Sequence, residues 1–204
     1  MKNILLILSL ITVQFSYSQT MKDFFTNKTQ VVFLGLDLTQ ARFIGSDKFR
    51  NPEGIKSHAF KEWNRFLATE PGKYSLQDAF GLKDKYYYNS INYFLKRNHT
   101  IEMEGKIIDT DYTLSEEDAV KNVSTYTTFE KEGLAVSFVV EKFVDDVGEA
   151  HVWVVFIDLP ENRVIYIEKM IGKAGGIGMA NFWARSIYDI VSQIEKRRLE
   201  FKAK

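Results

Sequence analysis

The sequence predicts an α/β (α+β) fold: a single domain with a mixed, mostly antiparallel sheet and helices packed on it, in the order β-α-α-β-α-β-β-β-α. Three observations lead there. "QVVFLGLDLTQ" opens on a run that is apolar on both faces, which suits a strand covered on two sides. "GLAVSFVVEKF", "EAHVWVVFID" and "RVIYIEKMI" follow one another with only "VDDVG" and "LPEN" between them, connections too short for a parallel crossover. The chain then closes on a helix whose Met179, Phe182, Trp183, Ser186, Ile187, Ile190, Val191 and Ile194 recur at three-four spacing, a single buried stripe.

Taken in order, the first element is not part of that fold. "MKNILLILSLITVQFSYSQT" carries one cation, Lys2, then an apolar run over 4–13, then small residues Ser16 and Ser18 just ahead of Gln19. That pattern predicts a signal peptide over residues 1–18, cleaved between Ser18 and Gln19, and a mature domain over 19–204. The apolar run is too short to span a bilayer as a helix, and nothing later is longer than "VWVVFI". The protein is therefore expected in the periplasm or secreted.

After the first strand, "FRNPEG" reads as a loop and "SHAFKEWNRFLATEPG" as a helix stopped by Pro71 and Gly72. "SLQDAFGLKDKYYYNSINYFLKRN" reads as a second helical region starting at Ser75 and broken at Gly81. "TIEMEGKII" is a weak strand. "LSEEDAVKNVSTYT" is a helix with a capping box at its start, Ser115 as N-cap and Asp118 reaching back.

Lys plus Arg and Asp plus Glu both total 27, and removal of Lys2 with the signal leaves 26 − 27 = −1. A chain with no basic excess is not built for nucleic acid. It has no cysteine, which excludes disulfides, a thiolate metal site, a cysteine nucleophile and an acylated N-terminal cysteine. His58, His99 and His151 show no paired spacing, so no metal is expected, and no Gly-x-Ser-x-Gly elbow marks a serine nucleophile. No cofactor is implied. The sequence points away from an enzyme.

The one stretch that looks like chemistry is "GKAGGIGMANFWARS". Its Lys173, Gly175, Gly176, Gly178 and Asn181 are the candidate ligand-binding residues. A helix N-terminus beside a lysine favours an anion. Yet Ile167 stands where a phosphate loop needs glycine, and Asn181 stands where a dinucleotide fingerprint needs its third glycine. The preferred reading is therefore geometric: glycines let the chain leave a strand and fold a helix back across the sheet. Two other groups qualify as candidates. Asp37, Glu141 and Asp158 end apolar strands, and could share a site. "KYYYNSINYF" on a helix would give Tyr86 and Tyr93 a stripe beside the core, a partner-facing surface.

"VVFLGLDLTQARFIG", "GLAVSFVVEKF", "HVWVVFIDL" and "GKAGGIGMANFWARSIYDIV" together resemble a group of uncharacterised exported proteins of Gram-negative bacteria. The order of elements is similar to the α/β domain of the curli-secretion lipoprotein and of the TolB N-terminal domain, though the acylated cysteine of the former is missing. That resemblance implies an envelope module working through protein contacts. The resulting expectation is a non-enzymatic exported domain that binds another envelope or secreted protein. The alternative is a small-ligand or anion-binding protein, or an enzyme, using the glycine-rich loop.

Overall fold

The structure, a computed structural model, describes residues 19–128 and 130–204; the predicted signal peptide lies outside the described residues. The elements run α1 (Met21–Phe24), β1 (Val31–Asp37), β2 (Arg42–Ile44) and α2 (Pro52–Gly54), which passes through a π turn into α3 (Phe60–Thr69). Then come α4 (Pro71–Tyr74), α5 (Leu76–Phe80), β3 (Tyr87–Asn89), α6 (Asn92–His99), β4 (Ile107–Ile108) and α7 (Glu116–Ser124). β5 (Leu134–Val144), β6 (Glu149–Asp158), β7 (Arg163–Lys173), α8 (Met179–Lys196) and α9 (Arg198–Lys202) complete the chain.

β5 is the spine of the sheet. One edge of it carries β1 and then β2, both parallel to it, and these carry β3 and β4, also parallel. Its other edge pairs with β6, which pairs with β7; both of these pairings are antiparallel, as the short turns between them require. Four of the six strand pairings are thus parallel, which corrects the expectation of a mostly antiparallel sheet and of its element order. The physical reason is that β2 and β3, absent from the expected order, are each only three residues long. Strands that short acquire their identity from a distant partner rather than from local periodicity.

β1 and β2 lie along the same edge of β5 as one interrupted strand. Val31 opposes Leu134 and Ile44 opposes Val144, with a bulge between Phe33 and Gly35 and a turn at residues 38–41. Two buried asparagines take over backbone bonds there: Asn64 Oδ1 accepts from Leu36 N at 2.8 Å, and Asn98 Oδ1 accepts from Leu38 N at 3.0 Å. Without them the kinked strand would bury unpaired N–H groups.

Alternation along the strands divides the core. Phe33, Leu36, Val136, Phe138, Val152, Val154 and Phe156 face α3, α5, α8 and α9, whereas Val32, Leu34, Ala135, Val139, Trp153 and Val155 face α6 and α7. On the first face the stripe of α8 buries Trp183, Ile187, Ile190, Val191 and Ile194. Trp183 stacks on Phe49 at 5.6 Å and meets the edge of Phe143 at 5.1 Å. On the second face α7 starts as the sequence indicates, with Ser115 Oγ accepting from Asp118 N at 3.0 Å. The Asp118 carboxylate accepts a hydrogen bond from the Ser115 hydroxyl at 2.7 Å rather than from a backbone N–H.

Candidate functional site

The strand-to-helix connection after β7 is fixed from both sides. Lys173 ends the strand with its N–H on Asp189 Oδ2 at 2.9 Å, and its ammonium group pairs with the Glu149 carboxylate. That hydrogen bond from Lys173 holds the Glu149 carboxyl below its ordinary range. Ala174 N donates to Gly148 O at 2.7 Å, tying the loop to the β5–β6 turn, and Gly175 N donates to Phe182 O at 3.0 Å. Gly176 and Gly178 sit at φ +104° and +80°, backbone that side-chain-bearing residues rarely adopt. Gly178 caps α8, and Phe182 N closes the first helical bond to its carbonyl at 2.8 Å.

Between those two glycines the loop presents Ile177, which is 92% exposed. Val147, on the tied turn, is 56% exposed. A cleft opens on each side of the loop. One, of about 460 Å³, is lined by Lys73, Tyr74, Gly175, Asn181, Arg185 and Tyr188. In it Lys73 pairs with Glu70 at 2.9 Å and the Arg185 guanidinium stacks over Tyr188 at 4.4 Å. Burial, reinforced by Glu70, pushes the Tyr74 hydroxyl above its usual pKa. The other cleft, of about 270 Å³, reaches Phe49, Met179, Phe182 and Trp183 past Gly176 and Gly178.

Of the residues singled out in the sequence, Gly175 and Asn181 share the first cleft and Gly176 and Gly178 border the second. Lys173 lines neither; it is held by Glu149. The groups that give the first cleft its character, Lys73, Tyr74, Arg185 and Tyr188, and the exposed Ile177 of the loop are not among the residues the sequence singles out. Lys73 and Tyr74 lie a hundred residues away, and an exposed isoleucine inside a glycine run carries no periodic signal. Arg185 and Tyr188 could have been found as the polar flank of the α8 stripe.

The three carboxylates do not come together. Asp37, fully buried at the end of β1, accepts from Thr39 N at 2.9 Å, Thr39 Oγ1 at 2.6 Å, Asn122 Nδ2 at 2.7 Å and Tyr126 OH at 2.9 Å. Arg97 Nε lies 3.7 Å from it. Glu141 is buried at a bulge of β5 between the ammonium groups of Lys169 and Lys142. Asp158 lies at the other end of β5, opposite Leu134, with Gln19 and Arg163. Each is paired with its own cation or donors, so no acid–base pair is formed from them.

The tyrosine stripe is corrected as well. Residues 84–86 form a 3₁₀ turn, Tyr87–Asn89 is an edge strand, and α6 starts only at Asn92. Tyr86 is partly exposed under the Lys85 ammonium. Tyr93 is buried against Phe94 and Tyr126, and its hydroxyl accepts from Thr127 N at 3.0 Å. Among the described residues no cluster of three metal-ligating side chains occurs, and no helix is long and apolar enough to cross a membrane.

No protein-family model matches the chain, and no curated protein matches it significantly.

Proposed function

We propose that the protein is an exported binding module that docks another envelope or secreted protein, using the end of the molecule where the glycine-rich loop meets the β5–β6 turn. The observation that carries this reading is Ile177. A large apolar side chain 92% exposed, at the tip of a loop whose neighbours are fixed by backbone bonds, is a preorganised plug. With exposed Val147 on the turn that is tied to this loop through Ala174 and Gly148, and with Met179 and Phe182 half-buried at the start of α8, it offers an apolar centre. Lys48 and Asp145 in the adjoining cleft give that centre a charged rim, which is the anatomy of a protein contact surface. The complementary partner would carry an apolar pocket able to accept a branched aliphatic side chain.

A second reading has one specific observation in its favour. The 460 Å³ cleft gathers Lys73, Arg185 and two tyrosines beside the first turn of α8, where N–H groups lack helical partners. A small anion would suit it. The two readings part in one experiment, in which tagged wild type, Ile177→Asp and Arg185→Ala are each recovered from envelope fractions. Thermal unfolding of the same three proteins is followed against phosphate and carboxylates. Loss of a stoichiometric co-purifying protein in Ile177→Asp alone supports docking. A saturable thermal shift that disappears in Arg185→Ala, with no change in Ile177→Asp, supports the anion site instead.

A further inference from the structure

Gln19 is the first residue after the predicted cleavage position, and its backbone N is not idle. It donates to Asp158 Oδ2 at 2.9 Å, across 139 residues of sequence. Asp158 is fully buried at the end of β6. Its other oxygen, Oδ1, is buried without any hydrogen-bond partner, and so is Gln19 Oε1. The remaining polar groups of Gln19 are engaged: Nε2 donates to Gly133 O at 3.3 Å, and the carbonyl accepts from Arg163 Nη2 at 3.2 Å. Arg163 also reaches Asp158 Oδ2 at 3.4 Å, but it is 44% exposed and divided with Glu161.

One peptide N–H and a long contact to a half-exposed guanidinium, both on Oδ2, leave this buried carboxylate with a bare Oδ1. They offset its desolvation cost only in part. An α-ammonium group has three donors and a full positive charge. It would keep the bond to Oδ2 and add a full charge and two further N–H groups at a carboxylate whose Oδ1 is buried without a partner.

We propose that Asp158 is the seat of a free α-amino group, created when the chain is cut between Ser18 and Gln19. In that step water adds across the peptide bond. Ser18 leaves with the carboxylate, and Gln19 retains the nitrogen, which takes up a proton. The catalyst is a processing endopeptidase of the signal-removing class. The seat completes the fold only after cleavage, so release from the leader and final stabilisation are one event. It has a second chemical consequence. A free N-terminal glutamine loses ammonia when its neutral amine attacks its own side-chain amide carbon, forming a lactam. An amine held protonated on Asp158, with the amide anchored on Gly133, cannot make that attack readily.

This inference rests on the cleavage position within the export reading, yet the seat can be tested apart from it. The elements and both cores described above are built from residues 19–204. The chain starting at Gln19 is therefore compared with the same chain carrying one alanine ahead of Gln19, and with the full chain from Met1. The charged groups around the amine are Asp158 on β6, Arg163 at the start of β7, Glu161 in the turn between them and Asp23 in α1. An unperturbed α-amine titrates near about 8. Pairing raises that value in the folded state, so the stabilisation is complete below about pH 8 and lost as pH rises through the folded value.

At about pH 6.5 the chain starting at Gln19 should melt roughly 2–4 °C above the alanine-extended chain. The gap should close by about pH 10, and in Asp158→Asn it should be absent at every pH. Lactam formation, read as loss of ammonia by mass, should be slow in the folded wild type and fast after unfolding. If Asp158→Asn does not fold, the extension and lactam measurements on the wild-type side chain still decide. Equal melting of the first two chains, or lactam formation as fast folded as unfolded, would overturn the seat. A precursor found uncut in cells would overturn the processing step and leave the seat measurement standing.

Discussion

Gly172 and Ser186 touch so closely that a Cβ on Gly172 would lie 2.0 Å from the Ser186 carbonyl oxygen. That contact sets how near α8 lies to the sheet, and through it where the loop between them emerges. The obstacle is helix backbone, with Ile190 Cγ1 also within 2.9 Å, so it cannot swing aside as a flexible side chain would. Gly172→Ala should therefore cost about 1–3 kcal/mol by overpacking. Gly175→Ala should differ by less than about 1 kcal/mol from wild type, because its Cβ would meet only Arg185 Cγ at 3.6 Å and its φ is not positive. Denaturation midpoints of the two variants check this. Equal losses would mean that α8 is not held by the contact with Gly172.

Trp183 is the anchor of the same helix. It is 2% exposed, packed between Phe49 and Phe143, and Trp63 Nε1 donates to Ala180 O one turn earlier at 3.0 Å. Trp183→Ala should lower stability by about 3–5 kcal/mol. Urea unfolding followed by far-ultraviolet circular dichroism measures it.

Lys106 gives the fold a pH dependence on the alkaline side. Its ammonium donates to the Thr39 carbonyl in the interrupted strand. Burial, and then the nearby Arg42 guanidinium, bring its pKa down to about 8, with Asp37 acting weakly in the opposite direction. A lysine with a lowered folded value disfavours the folded state while it is protonated. Between about pH 8 and 10 the unfolded chain binds more protons at this group than the folded chain, so its contribution to stability rises with pH. The difference in melting temperature between wild type and Lys106→Met should shift in favour of wild type over that window. A difference independent of pH would show that Lys106 titrates normally.

Asp37 is the buried charge on which the second face turns. Asp37→Asn would place an amide donor among Thr39, Asn122, Tyr126 and Arg97, which all donate to the carboxylate or lie beside it. A loss of about 3–5 kcal/mol is expected, as for one partner removed from a buried pair. Chemical denaturation measures it, and a loss under about 1 kcal/mol would mean the network reorganises freely.

What could be read in the sequence was what local periodicity encodes. The α8 stripe, the three strands β5 to β7, the helix start at Ser75, the Ser115 cap and the break at Gly81 are all set within a few residues of sequence. What could not be read depends on distant partners. Tyr87–Asn89 is a strand because β1 lies beside it, although its aromatic run fits a helix equally well. Tyr93 is inside because Thr127, thirty-four residues on, donates to its hydroxyl. The glycine loop was legible as a turn, but the clefts beside it are completed by Lys73, Tyr74, Lys48 and Phe49 from the first half of the chain.

Ile177 decides the functional reading most directly. Its side chain touches little of its own fold, so replacing it with a photo-crosslinking amino acid should leave stability within about 0.5 kcal/mol of wild type. Irradiation of cells carrying that variant should give one discrete adduct with a second protein. The adduct should weaken when Val147→Asp is added, and it should be absent when the photo-crosslinker stands at exposed Glu104 instead. No adduct at position 177, or one equally strong at 104, would contradict docking through this end of the molecule.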